Sequence, residues 1–460
     1  MIAAGLKAAM FISFDAVSVS GITVEATKVA KKLKENGFRC YLDLGYDINI
    51  SKGNFGKPYV NETCLYHNHF ELVRVDITTV PNYTPEFIKN VNRVLLDPTL
   101  AVSHDAKAAI LASVDQVAAG VALKIVALWK RLNVSKVIVE NGTLPENIVY
   151  SRALRLAIEQ YGQALNLGSF VIWRDHDLMW SSEKKVMKYG VPPYPHAIKP
   201  AKSQYITYVT LNEKLRNELE TWCNFEVEVK VRKNTYDFSE RHNHSAVREL
   251  LHIGRHDILI ARTTRLIPQK RIDRDIVLVQ QLNQRFRELG ESTSAILVVA
   301  GDKHENYPHY LELVRSAQAL GISQYIEFVG PLYHDLMPST RNLFTIEDLY
   351  YSCDLVSFLT SYDYDSYGNP IGEAISQKRC YITTSYEYYD EVYGRHGFEA
   401  PVLEISSTND GLPGIRFIDE VFRLLSDKQL MKAVAERNFK RGKRVLSNNV
   451  FDVLNLNDCD

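Results

Sequence analysis

Apolar positions along the chain fall into short runs separated by amphipathic stretches of helical period, a pattern that predicts strands alternating with helices and therefore parallel sheets. In the first half, a buried strand at 9–14 passes through a small-residue loop, 15–21, into a helix over 24–36 that ends near Gly37, and then into strand 39–42. Segment 51–98 carries no clear period. Beyond it come a long helical pattern at 105–132, strand 136–139, helix 146–161, strand 169–173, strand 205–210, helix 212–219 and strand 226–231.

After a polar run at 239–245, which reads as a linker, the alternation starts again. It gives strand 258–261, helix 276–289, strands 295–301 and 325–329, helix 347–352 and strand 355–359. An acidic, tyrosine-rich loop then meets a Gly-Asn-Pro turn, a small-residue helix from near Ile371, strand 380–384 and a helical stretch, 418–446. Two β-α-β openings imply two α/β domains. In open sheets of this kind ligands collect at the carboxyl ends of the strands.

Composition agrees with this division. The 460 residues are 46% hydrophobic and 24% charged, enough for two cored domains. A formal net charge of −1 supplies no global field for nucleic acid or an anionic membrane. Six cysteines (Cys40, Cys64, Cys223, Cys353, Cys380, Cys459) form no Cys-x-x-Cys pair, as expected of free thiols in a reducing cytoplasm. No apolar run approaches a membrane span and no secretory signal is evident, so the expected location is cytoplasmic, without stable membrane insertion. No short repeat is present, and the oligomeric state is not legible.

Candidate chemistry sits at the predicted strand ends. Strand 136–139 opens into Glu140-Asn141, and strand 169–173 delivers Arg174-Asp175-His176-Asp177 toward the same crevice. Ser18, Ser20 and Gly21 keep the first loop small enough for backbone amides to approach an anion, or simply for a tight turn. In the second half, Arg265 and Lys270 follow strand 258–261; a guanidinium can bridge two phosphate oxygens, and an ammonium adds a compact charge. The stretch 360–384 feeds a helix N-terminus, with Glu373 expected in its first turn. His67 and His69 would share one strand face, but no acidic or Cys partner lies nearby. Asp-x-Asp occurs at Asp363/Asp365, Asp175/Asp177, Asp273/Asp275 and Asp458/Asp460, scattered as chance would scatter it, so no metal is expected.

Several of these segments resemble the retaining glycosyltransferases of the two-Rossmann (GT-B) fold, in particular glycosyltransferase family 4. Tyr367-Gly368 and Glu373-Ala374 match the aromatic-Gly and Glu-Ala pairs of a family motif with two acids separated by seven residues; here the first acid is Asp365 in place of Glu. Segment 262–273 resembles Gly-Arg-Leu-x-x-x-Lys-Gly-x-Asp, with Thr264 and Arg271 at the Gly positions. Asn234-Thr235-Tyr236-Asp237 resembles the Asn-Gly-x-Asp close of the family's first domain.

The resemblance implies two Rossmann-like α/β domains facing a cleft: an acceptor domain, 1–238, a nucleotide-sugar domain, 239–432, and a helix, 433–460, crossing back to the first. It implies transfer of a hexose from a nucleotide-diphosphate sugar to an acceptor hydroxyl with retention, with no cofactor beyond that co-substrate. Arg265 and Lys270 would hold the diphosphate, aided by Gly21 and Gly330; Glu373 would hold the ribose; Asp365 and the backbone of Tyr367, Gly368, Asn369, Pro370 and Ile371 would hold the sugar. His176 would contact the transferred sugar, or be tied by Asp175 or Asp177 merely to close a loop, and Asn141 and Trp180 would line the acceptor pocket. Two rival readings stay open: a disaccharide phosphorylase of the same fold, and a degenerate nucleotide-sugar-binding subunit.

Overall fold

A computed structural model describes residues 7–13, 21–43, 69–77, 79–181, 187–239, 246–335 and 344–456. By its contacts the chain divides into two units, Met1–Asn234 with Asn448–Asp460, and Thr235–Ser447.

The first unit contains β1 (Lys7–Ser13), α1 (Gly21–Glu35), β2 (Phe38–Asp43), β3 (Glu71–Val73), α2 (Pro85–Leu96), α3 (His104–Leu132), β4 (Val134–Glu140), α4 (Ile148–Leu165), β5 (Val171–Asp175), β6 (Ile206–Thr210), α5 (Glu213–Trp222) and β7 (Val229–Val231). Its seven strands are ordered β3-β2-β1-β4-β5-β6-β7 and all pair in parallel. The order reverses between β1 and β4, the topological switch point of a doubly wound sheet. Central strands buried on both faces explain runs such as Val137-Ile138-Val139, all at 0% exposure.

The second unit contains α6 (Val247–Leu250), β8 (Ile258–Thr263), α7 (Ile272–Glu288), β9 (Ala295–Ala300), α8 (Tyr307–Ala319), β10 (Ile326–Phe328), α9 (Ile346–Ser352), β11 (Leu355–Phe358), α10 (Asn369–Ser376), β12 (Cys380–Thr384), α11 (Tyr389–Val392), β13 (Val402–Leu403), α12 (Ile415–Ser426) and α13 (Lys428–Val445). Its parallel sheet runs β10-β9-β8-β11-β12-β13, with the switch point between β8 and β11.

Four expectations change. The aperiodic segment 51–98 contains β3 and α2, the latter capped by Thr84, whose side chain accepts from Phe87 N. The stretch 418–446 is two helices, because Asp427 leaves the helix and caps the next one through Gln429 N and Leu430 N. The expected returning helix, 433–460, also divides. Helix α13 packs on α10 and α12 inside the second unit, whereas the 3-10 turn Val450–Val453 buries Val450, Val453 and Leu454 in the first unit's core beside Val29 and Leu33. Finally, α3 is long and apolar enough to cross a membrane, although Val117, Val121, Ile125 and Trp129 on one face are buried.

The unit boundary falls four residues before the expected one, since Tyr236 and Phe238 already pack with the second unit, Phe238 against the Phe439 ring at 5.5 Å. Cys40, Cys223, Cys353 and Cys380 are free and buried; Cys64 and Cys459 lie outside the described residues.

Candidate functional site

At the switch point of the second sheet, the loops after β8 and β11 are held by two arginines whose burial no local pattern signals. Arg262 is fully buried; its Nη1 donates to Ser357 O at 2.9 Å and its Nη2 to Lys270 O at 2.5 Å, with Asp275 Oδ2 3.4 Å from Nε. Arg274, also fully buried, donates to Thr360 O and to Asp410 Oδ1, both at 2.5 Å. Each guanidinium thus gives its protons to carbonyls of the loops that carry the site. Arg271, at a family glycine position, has φ +51°, the left-handed region that glycine favours; its guanidinium is fixed by Asp273 and Asp410.

On this frame Lys270 Nζ meets Asp365 Oδ1 at 2.5 Å, above the Tyr364 ring at 4.8 Å. The second Asp365 oxygen accepts from Thr360 Oγ1. Burial pushes the Lys270 ammonium below its usual range, and Asp365 opposes that shift. Arg265 donates to Glu305 Oε1 at 2.6 Å and to Tyr364 Oη at 3.1 Å. Both expected diphosphate cations therefore lie together and both have carboxylate partners. Asp365, expected to face a sugar, is the counter-ion of Lys270.

Helix α10 begins at Asn369, two residues earlier than expected, so Glu373 is its fifth residue and not in the first turn. Gly368 caps it at φ +83°, where an added Cβ would strike Tyr386 Oη. Two buried tyrosines brace the turn, Tyr386 Oη donating to Tyr367 O at 2.8 Å and Tyr393 Oη to Gly368 O at 3.0 Å. Pro370 has no N–H, and Ile371 N donates to Gly368 O, so this start offers an anion fewer amides than the sequence suggested. Tyr367 is buried in the tyrosine cluster at 4% exposure, against Tyr393. Gly330, at φ +80°, turns the chain after β10 with open space around it.

Glu373 Oε1 lies 3.6 Å from His334 Nε2, and His334 Nδ1 lies 2.9 Å from Glu347 Oε1. Tyr350, whose hydroxyl is bonded to Thr263 Oγ1 at the end of β8, also interacts with Glu373. Burial pushes the Glu347 carboxyl up, but the His334 contact outweighs it and holds the group at about 2. Sequence reasoning missed His334 and Glu347.

In the first unit, His176 comes to the carboxyl ends of β4 and β5 and pairs with Glu140. Its Nε2 lies 2.9 Å from Glu140 Oε2, and Glu140 takes a bidentate bond from buried Arg174 at 2.8 and 2.7 Å. Burial raises the Glu140 carboxyl, yet Arg174 and His176 bring it down to about 2. Asp175 instead accepts from Thr143 N and Oγ1 at 3.0 and 2.6 Å, and burial pushes it up to about 7. Asn141, at φ +54°, accepts from His176 N at 2.6 Å, so its side chain shapes the His176 turn.

Trp180 is held by α5 and by aromatic neighbours. Its Nε1 donates to Glu218 Oε2 at 2.8 Å and its ring packs on Tyr194 and Trp222. Glu218 and Trp222 lie roughly 8 and 14 Å along α5 from its start. Gly21 is the exposed first residue of α1, and the rest of its loop, with His67, lies outside the described residues. His69 packs beside the Phe70 ring. Among the described residues no group of three or more His, Cys, Asp or Glu is arranged to hold a metal.

No protein-family model and no curated protein matches the sequence. Solved structures do match in three dimensions. A glycosyltransferase from Rickettsia africae aligns at 13% identity with a TM-score of 0.59, covering 98% of this chain and 95% of that one. Sucrose-phosphate synthase from Thermosynechococcus elongatus aligns at 12% identity and 0.58, covering 97% and 96%. A variant of S. aureus TarM in complex with fondaparinux, alpha-GlcNAc-glycerol and UDP aligns at 11% identity and 0.56, covering 98% and 100%. With its two doubly wound parallel sheets, the chain has the fold of the GT-B glycosyltransferases.

Proposed function

We propose that the chain is a retaining, metal-independent hexosyltransferase of the family 4 type, which moves a hexose from a nucleotide-diphosphate sugar to a carbohydrate or small-molecule acceptor hydroxyl. One observation carries the reading: Arg265 and Lys270 from the loop after β8 meet Tyr364 and Asp365 from the loop after β11 at the switch point of one sheet, while Glu373 reaches the end of β8 through Tyr350. The neighbour TarM, solved with UDP, supports a nucleotide at such a fold.

The chemistry follows from the charges. When the sugar–phosphate bond breaks, the nucleoside diphosphate leaves as an anion and needs no proton near neutrality. The charge growing on its terminal phosphate must be met by fixed cations. Arg265 and Lys270 supply them, held over Tyr364 and by buried Arg262. Glu373 accepts from the ribose hydroxyls. As the diphosphate engages Lys270, Asp365 is freed to accept from the sugar, which lies against the turn 367–371. In the first unit we keep His176 as the catalytic-side contact, set by Glu140. Asn141 and Trp180 are assigned to the acceptor side, Asn141 fixed through its Oδ1 on His176 N and Trp180 through its Nε1 on Glu218.

Arg265→Ala tests the proposal. Turnover of nucleotide sugar is expected to fall by about 10²-fold or more, as for other groups facing a developing anion. Near-normal turnover would remove Arg265 from the site. A phosphorylase would instead show no specific nucleoside diphosphate binding by calorimetry, and a chain unable to transfer or hydrolyse any donor would be the binding subunit.

A further inference from the structure

His334 is buried between two carboxylates that reach it from different helices. Glu347, on α9, places Oε1 2.9 Å from Nδ1 and uses its other oxygen to accept from Asp335 N at 2.9 Å. Glu373, on α10, places Oε1 3.6 Å from Nε2. Among the described residues, the titratable groups shown around this arrangement are Glu347 and Tyr350 on α9, Glu373 on α10, and Asp335 beside the ring.

A carboxylate only accepts, so Nδ1 carries a proton toward Glu347. The tautomer of the neutral ring is thereby fixed, and its Nε2 is then an acceptor facing the Glu373 carboxylate 3.6 Å away, which also only accepts. Protonation of the ring turns that repulsion into a charged N–H···O contact, and two neighbouring carboxylates favour the protonated form. In that state the Nε2 contact joins Tyr350 in holding Glu373. Loss of the proton removes the Nε2 contact and leaves Tyr350 alone.

We infer that His334, gripped by Glu347, is a positioning residue that orients Glu373 toward a nucleotide's ribose, so that ribose recognition follows the protonation state of this imidazole. The inference rests on the nucleotide-sugar reading above. No motif pointed to it, since His334, Glu347 and Glu373 are far apart in sequence and are joined only by the topology of β10, α9 and α10.

The test is calorimetry on the full chain with a nucleoside diphosphate and its 2′,3′-dideoxy analogue, using the first of UDP, ADP, GDP and CDP that binds the wild type. A charged hydrogen bond to the ribose should give the hydroxylated nucleotide an advantage of about tenfold. That advantage should shrink as pH rises between about 5 and 8. His334→Asn keeps a donor for Glu347 but has nothing in place of Nε2. The variant is expected to lose the tenfold preference and its pH dependence, and to bind the dideoxy analogue as the wild type does. An unchanged preference and pH profile in the variant would overturn the inference alone. Equal weakening of both nucleotides would assign His334 a merely structural role. A wild type that binds none of the four would overturn the donor-site reading and the inference with it.

Discussion

Asp365→Asn is the most informative single change, because it separates a sugar contact from a counter-ion. Lys270 and Asp365 are 12% and 15% exposed at their side chains, and their polar atoms meet at 2.5 Å. Removing one partner of a buried pair leaves the other charge uncompensated, at about 3–5 kcal/mol. Partial exposure and the Tyr364 ring 4.8 Å from Nζ place this pair at the lower end, about 3 kcal/mol. For a unit of this size that is a fall of about 6–12 °C in melting temperature.

The assay is thermal and urea unfolding of the full chain, run as a cycle with Lys270→Met. In the Lys270→Met background the same Asp365→Asn change should do far less harm, since no buried ammonium remains to be orphaned. Saturating nucleoside diphosphate should narrow the wild-type gap, because phosphate supplies the missing anion. A loss below about 0.5 kcal/mol, within the range of an ordinary surface change, or an equal loss in both backgrounds, would refute the counter-ion argument.

Two further outcomes follow from the same geometry. Burial raises Asp175 to about 7 from an ordinary 3.8, so its contribution to stability is fully present below 3.8 and is lost as pH rises toward 7. Glu140, depressed to about 2 from 4.5, contributes above 4.5 and loses that contribution as pH falls. Asp175→Asn should therefore flatten the loss between about pH 4 and 7 in pH-resolved urea melts and leave the acid limb untouched; an unchanged profile would discard the assignment. Gly372→Ala would drive a methyl into the Tyr236 ring, whose hydroxyl donates to Asn369 Oδ1 at 3.2 Å. It should cost about 1–3 kcal/mol, relieved in a Tyr236→Ala background as read by chemical denaturation.

Much of the fold was legible because a doubly wound sheet writes itself in short apolar runs. Strand 355–359 and strand 380–384 are read to within a residue, since β11 and β12 are buried on both faces. Arg265 and Lys270 meet Tyr364 and Asp365 across the loops after β8 and β11, because βα loops after neighbouring strands must come together. What escaped was long-range pairing. Glu140 and His176 were both noted, but the bond between them depends on parallel register, Glu140 opposite Arg174, which no local pattern encodes. His334 has no spacing signature, and Glu347 looks like any acid in a helix's first turn. The packing of Trp180 on α5, with Trp222 beside its ring and Glu218 accepting from its Nε1, likewise has no local signature.

The buried arginines explain why the second unit's site is built before a ligand arrives. Arg174 and Arg262 are both fully buried in strands, and each faces a carboxylate, Glu140 and Asp275 respectively. A buried ion pair adds little net stability against an apolar replacement, so stability alone does not account for them. Their remaining donors do. Arg262 reaches Ser357 O and Lys270 O, and Arg274 reaches Thr360 O, which ties the β8 loop to the β11 loop at three carbonyls. Losing any one of those bonds would leave a guanidinium N–H unpaired inside the protein, a penalty that grows with burial. The loops that hold Lys270 and Asp365 are therefore fixed by the requirement to satisfy buried charge, and the electrostatics of the site are set in advance, as stabilisation of a leaving anion demands.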